Sequence, residues 1–159
     1  MNFRVGVGFD VHRLSPASPL VIGGVEIPYH KGLLGHSDGD VLCHAVTDAL
    51  LGAAGLGNIG ELFPDTDPRY RGVSSLKFLA EAAAAVRRKH FEIGNIDSNI
   101  LAEQPRLTPF FPAMKRKIAE VLGVSEERVH VKAKTMEGLG PIGAGEAIAA
   151  EAVALVTWE

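Results

Sequence analysis

Phe3, Val5, Val7, Phe9 and Val11 put an apolar side chain at every odd position from 3 to 11, the period of a half-buried strand. Asp10 and His12 therefore share the opposite face. Leu20-Val21-Ile22 and Val25-Glu26-Ile27 flank Gly23-Gly24, which predicts a tight hairpin. At about Asp40 the period changes: small and apolar residues through Ala45, Ala49, Leu50, Leu51, Ala53 and Ala54 predict a helix of about four turns, stopped by Gly55 and Gly57. Leu76, Phe78, Leu79, Ala82 and Val86 recur at three and four, giving an amphipathic helix capped by Ser74 or Ser75. A third helix carries Met114, Ile118, Val121 and Leu122 and ends at Gly123. Residues 93–103 and 129–135 read as strands, 58–68 and 104–109 as irregular loops, and 136–145 as a loop with four glycines. Residues 146–157 are ambiguous, because alanine content favours helix while Val153, Leu155 and Val156 allow a buried strand.

Length and composition narrow the class. A chain of 159 residues without repeat or linker is expected to form one domain over 1–159 with a real hydrophobic core. Hydrophobic residues at 47% and charged residues at 22% are ordinary for a globular protein, and a net charge of -3 gives no electrostatic case for nucleic acid. The basic runs Arg87-Arg88-Lys89 and Lys115-Arg116-Lys117 sit late on helices, where they complement the dipole. A single cysteine, Cys43, excludes an intramolecular disulfide and fits a reducing compartment. The N-terminus shows no signal-peptide pattern, and the last apolar stretch is broken by Glu151, so the expectation is cytoplasmic, with no membrane partner.

The candidate chemistry gathers in two places. Asp10 and His12, two residues apart on a strand, project side by side at about the separation two ligands of one Zn2+ need. His36-Ser37-Asp38-Gly39-Asp40-Val41-Leu42-Cys43-His44 crosses a loop-to-helix junction, and Asp40, His44 and Asp48 follow at i, i+4, i+8 along one helical face. That face reads either as a metal- or phosphate-handling edge or as a solvated acidic turn. A first strand followed by a helix packed on its sheet brings His44 toward Asp10 and His12. Two imidazoles and a carboxylate then leave a tetrahedral Zn2+ one open position. Cys43 points about 100° away from His44 and reads as a small core residue. His36, beside Ser37, is a candidate to bond a phosphate, whereas His30, His90 and His130 read as structural or surface residues. Lys132, Lys134, Thr135 and Glu137, entering the glycine-rich loop, can hold a phosphate and a hard cation such as Mg2+. Neither a Walker sequence nor a dinucleotide-binding glycine pattern occurs.

Taken together, the motifs resemble the 2-C-methyl-D-erythritol 2,4-cyclodiphosphate synthase family over nearly the whole chain. The likeness rests on Gly8-Phe9-Asp10-Val11-His12, Ile22-Gly23-Gly24-Val25, the segment from His36 to Val41 with His44 and Asp48, and Leu62-Phe63-Pro64-Asp65-Thr66-Asp67. Gly94-Asn95-Ile96-Asp97, Lys132-Ala133-Lys134-Thr135 with Glu137, and Gly145-Glu146 extend it. The resemblance implies an α+β sandwich: a mixed four-stranded sheet with helices on one face, a small β-hairpin, and a final strand rather than a final helix. It implies conversion of a cytidine-diphosphate-linked substrate, 4-diphosphocytidyl-2-C-methyl-D-erythritol 2-phosphate, to the cyclic diphosphate with release of CMP. It further implies a homotrimer with active sites between subunits, Zn2+ on Asp10, His12 and His44, and Mg2+ or Mn2+ near Glu137. By the same carry-over His36 and Thr135 stabilise the transition state. Substrate contacts would come from Ser37, Asn58, Ile59, Gly60, Phe63, Pro64, Asp65, Thr66, Asp67, Lys134 and Pro141. The segment of Ala102, Pro105, Arg106, Leu107 and Thr108 would form the cytosine pocket. Asp40 and Asp48 would support the ligands or orient substrate.

Two departures stand out. Asn58 replaces an Asp that accepts from a ribose hydroxyl in many relatives, and Pro141 and Ala144 replace a Phe and an Arg facing the trimer axis in those relatives. Two further readings stay open: a zinc-dependent phosphohydrolase on the same residues, and a non-catalytic trimeric nucleotide- or metal-binding protein.

Overall fold

The computed structural model describes residues 2–159 and is built on one mixed sheet. Strand β1 (Asn2–Ser15) is followed by the hairpin β2 (Leu20–Ile22) and β3 (Val25–Ile27), then β4 (Gly32–Leu33), and by helices α1 (Val41–Ala54), α2 (Ile59–Leu62) and α3 (Ser75–Arg88). Strand β5 (Glu92–Leu101), helix α4 (Phe111–Leu122), strand β6 (Val129–Lys134), the short α5 (Gly140–Gly143) and strand β7 (Ala147–Trp158) complete the chain. The sheet order is β4-β1-β7-β5-β6. β7 runs antiparallel to both β1 and β5, and β5 and β6 are parallel, so β1, β5 and β6 all end at one edge of the sheet.

The expectation of four strands is corrected to five. Gly32 and Leu33 pair with Ser15 and Leu14, extending the sheet by a two-residue strand too short to leave any periodic trace in the sequence. The ambiguous last segment is a twelve-residue central strand. Its alanines lie under α1, where larger side chains would hold the helix off the sheet, so packing overrides helix propensity.

The first strand also packs in an unexpected sense. Its alternating apolar residues face away from the helices and stay exposed, Phe3 at 61%, Val7 at 67% and Phe9 at 56%. The buried face is the one with Gly6 and Gly8, because α1 lies directly on it. A Cβ at Gly6 would sit 2.0 Å from the Ala49 carbonyl oxygen, and one at Gly8 would sit 1.9 Å from that of Ala45. Two residues along a strand advance about 6.6 Å and four along a helix about 6 Å, so strand and helix stay in step. Continuing that register from Gly8 to Asp10 leads from Ala45 to the first turn of α1, where His44 stands.

Helix α1 is buried around most of its circumference, with Leu42, Leu50, Leu51 and Cys43 inaccessible to solvent. Each fully buried leucine contributes about 2 kcal/mol. Its ends follow the sequence expectation: the Asp40 carboxylate accepts from the Cys43 N–H at 3.0 Å, and Gly55 closes the helix at φ 67°. For α3, Ser74 occupies the N-cap position without capping, and the Asp38 carboxylate accepts from the Ser75 N–H at 3.1 Å instead. A loop residue far back in sequence thus fixes the start of α3. No helix among the described residues is long and apolar enough to cross a membrane.

Candidate metal centre and cleft

Asp10 and His12 leave β1 on its helix-facing side, and His44 reaches them from α1. One ligand atom from each lies within 4.8 Å of the other two, and among the described residues no other three His, Cys, Asp or Glu side chains meet this way. Oδ2 of Asp10 is 2.9 Å from both Nε2 of His12 and Nδ1 of His44. Each ring is held from behind. His12 donates its Nδ1–H to the Leu34 carbonyl oxygen at 2.5 Å, which leaves Nε2 turned inward, and Nε2 of His44 meets the Ser75 hydroxyl at 2.8 Å.

Electrostatics follow the geometry. Burial works to raise the Asp10 pKa, but the hydrogen bonds and positive charge of His12 and His44 outweigh it and hold the carboxyl far below its ordinary range. The hydrogen bond to Asp10 raises His12, against a smaller opposing effect of burial. One carboxylate and two imidazole nitrogens, half-buried and converging beside the cleft, make a donor set that suits a divalent cation.

The cluster borders a cavity of about 490 Å³. Of the residues singled out in the sequence, His12, His36, Ser37, His44, Ile59, Gly60, Phe63, Pro64 and Asp65 line it. The structure adds an aromatic wall: Phe78 of α3 stacks on Phe63 with centroids 4.6 Å apart, and Tyr70 meets both rings edge-on. Phe78 reads in the sequence as an amphipathic core position, and only the tertiary packing brings it to the cleft. Thr66 and Asp67 lie beyond the lining residues. The Asp67 carbonyl oxygen accepts from Nε2 of His36 at 2.9 Å, and its carboxylate pairs with Arg69, which lowers its pKa.

A second cavity of about 280 Å³ opens where β5 and β6 end. Ala102, Pro105, Arg106, Leu107, Thr108, Lys134 and Thr135 line it, and it shares no residue with the first. The Glu137 carboxylate accepts from the Thr135 hydroxyl at 3.3 Å, at a left-handed backbone position (φ 53°), but Glu137 lines neither cavity. Lys132 pairs with Asp97 and lies outside the second cavity, so the four-residue phosphate reading of the sequence reduces to Lys134 and Thr135 with the adjoining Glu137.

Several residues do work other than the sequence suggests. Asp40 is fully buried and accepts from the N–H groups of Gly23, Gly24 and Cys43, joining the β2–β3 turn to the start of α1. Burial raises its pKa in spite of those bonds. Asp48 accepts from the Ile59 N–H at 2.7 Å and so anchors α2 at the cleft wall. The pattern Asp40, His44, Asp48 is therefore one ligand candidate between two structural anchors, rather than a shared edge. Asn58 caps α2 through the Glu61 N–H and donates to the Glu61 carboxylate, and Pro141 lies in α5, outside both cavities. Cys43 is buried as expected, which pushes its thiol pKa well up.

Comparison with known proteins fits this geometry. Residues 3–157 match the model of the YgbB family. Over 159 residues, all of this chain and 98% of the other, the chain is 57% identical to the 2-C-methyl-D-erythritol 2,4-cyclodiphosphate synthase of Burkholderia thailandensis. It is also 57% identical over 156 residues to the bifunctional enzyme IspD/IspF of Albidiferax ferrireducens, of which it spans 37% while 98% of this chain is covered. Among solved structures, the CDP complex of IspF from Plasmodium falciparum superposes with a TM-score of 0.87 at 35% identity, covering 99% of this chain and 97% of that one.

Proposed function

Because the chain belongs to the YgbB family, we propose that it carries out the cyclisation for which its full-length relatives are named. It closes 4-diphosphocytidyl-2-C-methyl-D-erythritol 2-phosphate to 2-C-methyl-D-erythritol 2,4-cyclodiphosphate and releases CMP, as one cyclodiphosphate synthase domain over residues 1–159 of the non-mevalonate isoprenoid pathway. An oxygen of the 2-phosphate attacks the β-phosphorus. The bond from that phosphorus to the oxygen bridging it to the α-phosphorus breaks, and CMP departs with that oxygen.

The observation that carries this reading is the convergence of Asp10, His12 and His44 on the wall of a cleft walled by Phe63, Phe78 and Tyr70. Asp10, His12 and His44 would hold Zn2+, and Glu137 would hold Mg2+ or Mn2+; when bound, these cations would neutralise charge on the diphosphate. The chain itself bends and holds the substrate. Ser37 donates to the erythritol phosphate, His36 and Thr135 stabilise the transition state, and Lys134 donates to the diphosphate as charge gathers on it. Phe63, Pro64 and Asp65, with Ile59 and Gly60, close around the erythritol, and the wall from Ala102 to Thr108 takes the cytosine. Little covalent work is left for the protein in such a transfer.

Two separate half-sites and an uncovered apolar sheet face support a homotrimer in which one copy's first cavity meets a neighbour's second. A cytoplasmic location goes with the reading, Cys43 being a free buried thiol. Incubation with the cytidylyl substrate and Mg2+, followed by phosphorus NMR, tests the function. Cyclic diphosphate with CMP is expected. Linear methylerythritol bisphosphate would instead mark a hydrolase, and tight CDP binding without turnover a binding protein.

A further inference from the structure

Behind His44 lies a chain of hydrogen bonds that the cyclisation does not itself call for. Ser75, inaccessible to solvent at the first position of α3, has its hydroxyl against Oδ1 of Asp38 and 2.8 Å from Nε2 of His44. Asp38 accepts from three donors: the Ser75 hydroxyl, the Ser75 N–H at 3.1 Å and the Asp40 N–H at 3.2 Å. An ionised carboxylate has no proton to give, so the single hydroxyl proton of Ser75 is spent on Asp38. Toward His44 the Ser75 oxygen can then only accept. His44 can then bond Ser75 only by donating from Nε2, which leaves the lone pair on Nδ1, the atom 2.9 Å from Asp10 and 3.4 Å from Nε2 of His12; without a cation between them, the Asp10 carboxylate competes for a proton on that same Nδ1.

We propose that Ser75 and Asp38 are positioning residues that lock His44 in its Nε2–H tautomer, so that Nδ1 is presented to the divalent cation. This rests on the metal reading above. The arrangement is complementary to that at His12, where the Leu34 carbonyl oxygen takes the Nδ1 proton and Nε2 faces inward. One histidine is locked by backbone and the other by a serine–aspartate pair, and the two rings offer opposite nitrogens to the same point. The competing neighbours are Asp10, whose carboxylate accepts a proton from Nδ1 when no cation is bound, and Ser37, whose hydroxyl lies 3.1 Å from Nε2. If Ser37 donated there, His44 would take the Nδ1–H tautomer and its inward lone pair would vanish. The same Asp38 carboxylate caps α3, so the start of that helix and the orientation of the ligand are set by one group.

Two measurements separate this inference from the metal reading. Long-range nitrogen–proton NMR on metal-free Asp10→Ala protein labelled at histidine nitrogen, in which the competing carboxylate is gone, recorded at about pH 9, where a free imidazole is neutral, is expected to show His44 protonated on Nε2. Protonation on Nδ1 overturns the proposal whether or not the protein binds zinc. Zinc affinity, read by competition with a chromophoric chelator, is expected to fall about 10- to 100-fold in Ser75→Ala. Asp38→Asn is expected to fall with it, while Ser75→Thr, which keeps the hydroxyl, recovers most of the loss. The parent's own affinity judges the metal reading, and the ratio of variant to parent judges the relay. A folded Ser75→Ala protein with parental zinc affinity and an unchanged tautomer contradicts it.

Discussion

Nδ1 of His44 lies 2.9 Å from Oδ2 of Asp10 although 34 positions separate the two residues. The meeting depends on Gly8, which lets α1 settle onto β1 one step before Asp10. Gly8→Ala would drive a methyl into the Ala45 carbonyl oxygen, where 1.9 Å is available. Backbone rather than a flexible side chain stands in the way, so the helix must shift. The expected result is about 3 kcal/mol of lost stability in urea unfolding, at the upper end of overpacking costs, with weakened zinc binding.

The metal-free cluster gives a pH dependence with a definite sign. Asp10 is held below its ordinary 3.8, so its contribution is present above that value and lost as pH falls through the depressed one. His12 is raised above 6.5, so its contribution is full below 6.5 and lost as pH rises through the raised value. Metal-free protein should therefore lose stability as pH climbs above 6.5, while the stabilisation added by zinc grows, because zinc needs unprotonated imidazole. Thermal melts with and without zinc across that interval check it; a metal-free Tm that rises above neutrality contradicts it.

Asp48 acts on the cleft through backbone alone. Asp48→Ala frees the Ile59 N–H and loosens α2 at the cavity wall. Loss of one charge-assisted hydrogen bond, about 1.5 kcal/mol, should raise KM about tenfold with kcat little changed. Steady-state kinetics decide the matter, and an equal fall in kcat would place Asp48 in the chemical step.

Much of this was legible in the sequence, and the failures have physical causes. The alternation of β1 fixed a strand and set Asp10 and His12 on one face, but not which face is covered. Gly6 and Gly8 carried that information, since only a face without side chains admits a helix so closely. The hairpin and the ends of α1 were readable because Gly and Asp do local work there. Propensity alone leaves β7 ambiguous, its alanines being set by α1 above them, and the family resemblance is what pointed to a strand there. Ser75, Asp38, Phe78 and Tyr70 escaped notice as cleft or ligand neighbours because their roles arise from contacts between distant segments.

The uncovered face of β1 should be where copies meet. Val7 is 67% exposed there, so Val7→Asp leaves the fold of the single chain intact. Light scattering is expected to show three chains in the parent and dissociation in the variant, with an unchanged circular dichroism spectrum and with activity lost because the two half-sites part. A trimeric, fully active variant would remove this face from the interface.

The metal content of parent and His44→Ala proteins, measured by elemental analysis beside activity, tests the central claim most directly. The parent should hold one zinc per chain at Asp10, His12 and His44. His44→Ala should lose both the metal and the turnover. His44→Ala protein that keeps stoichiometric zinc and full activity would contradict the proposed centre.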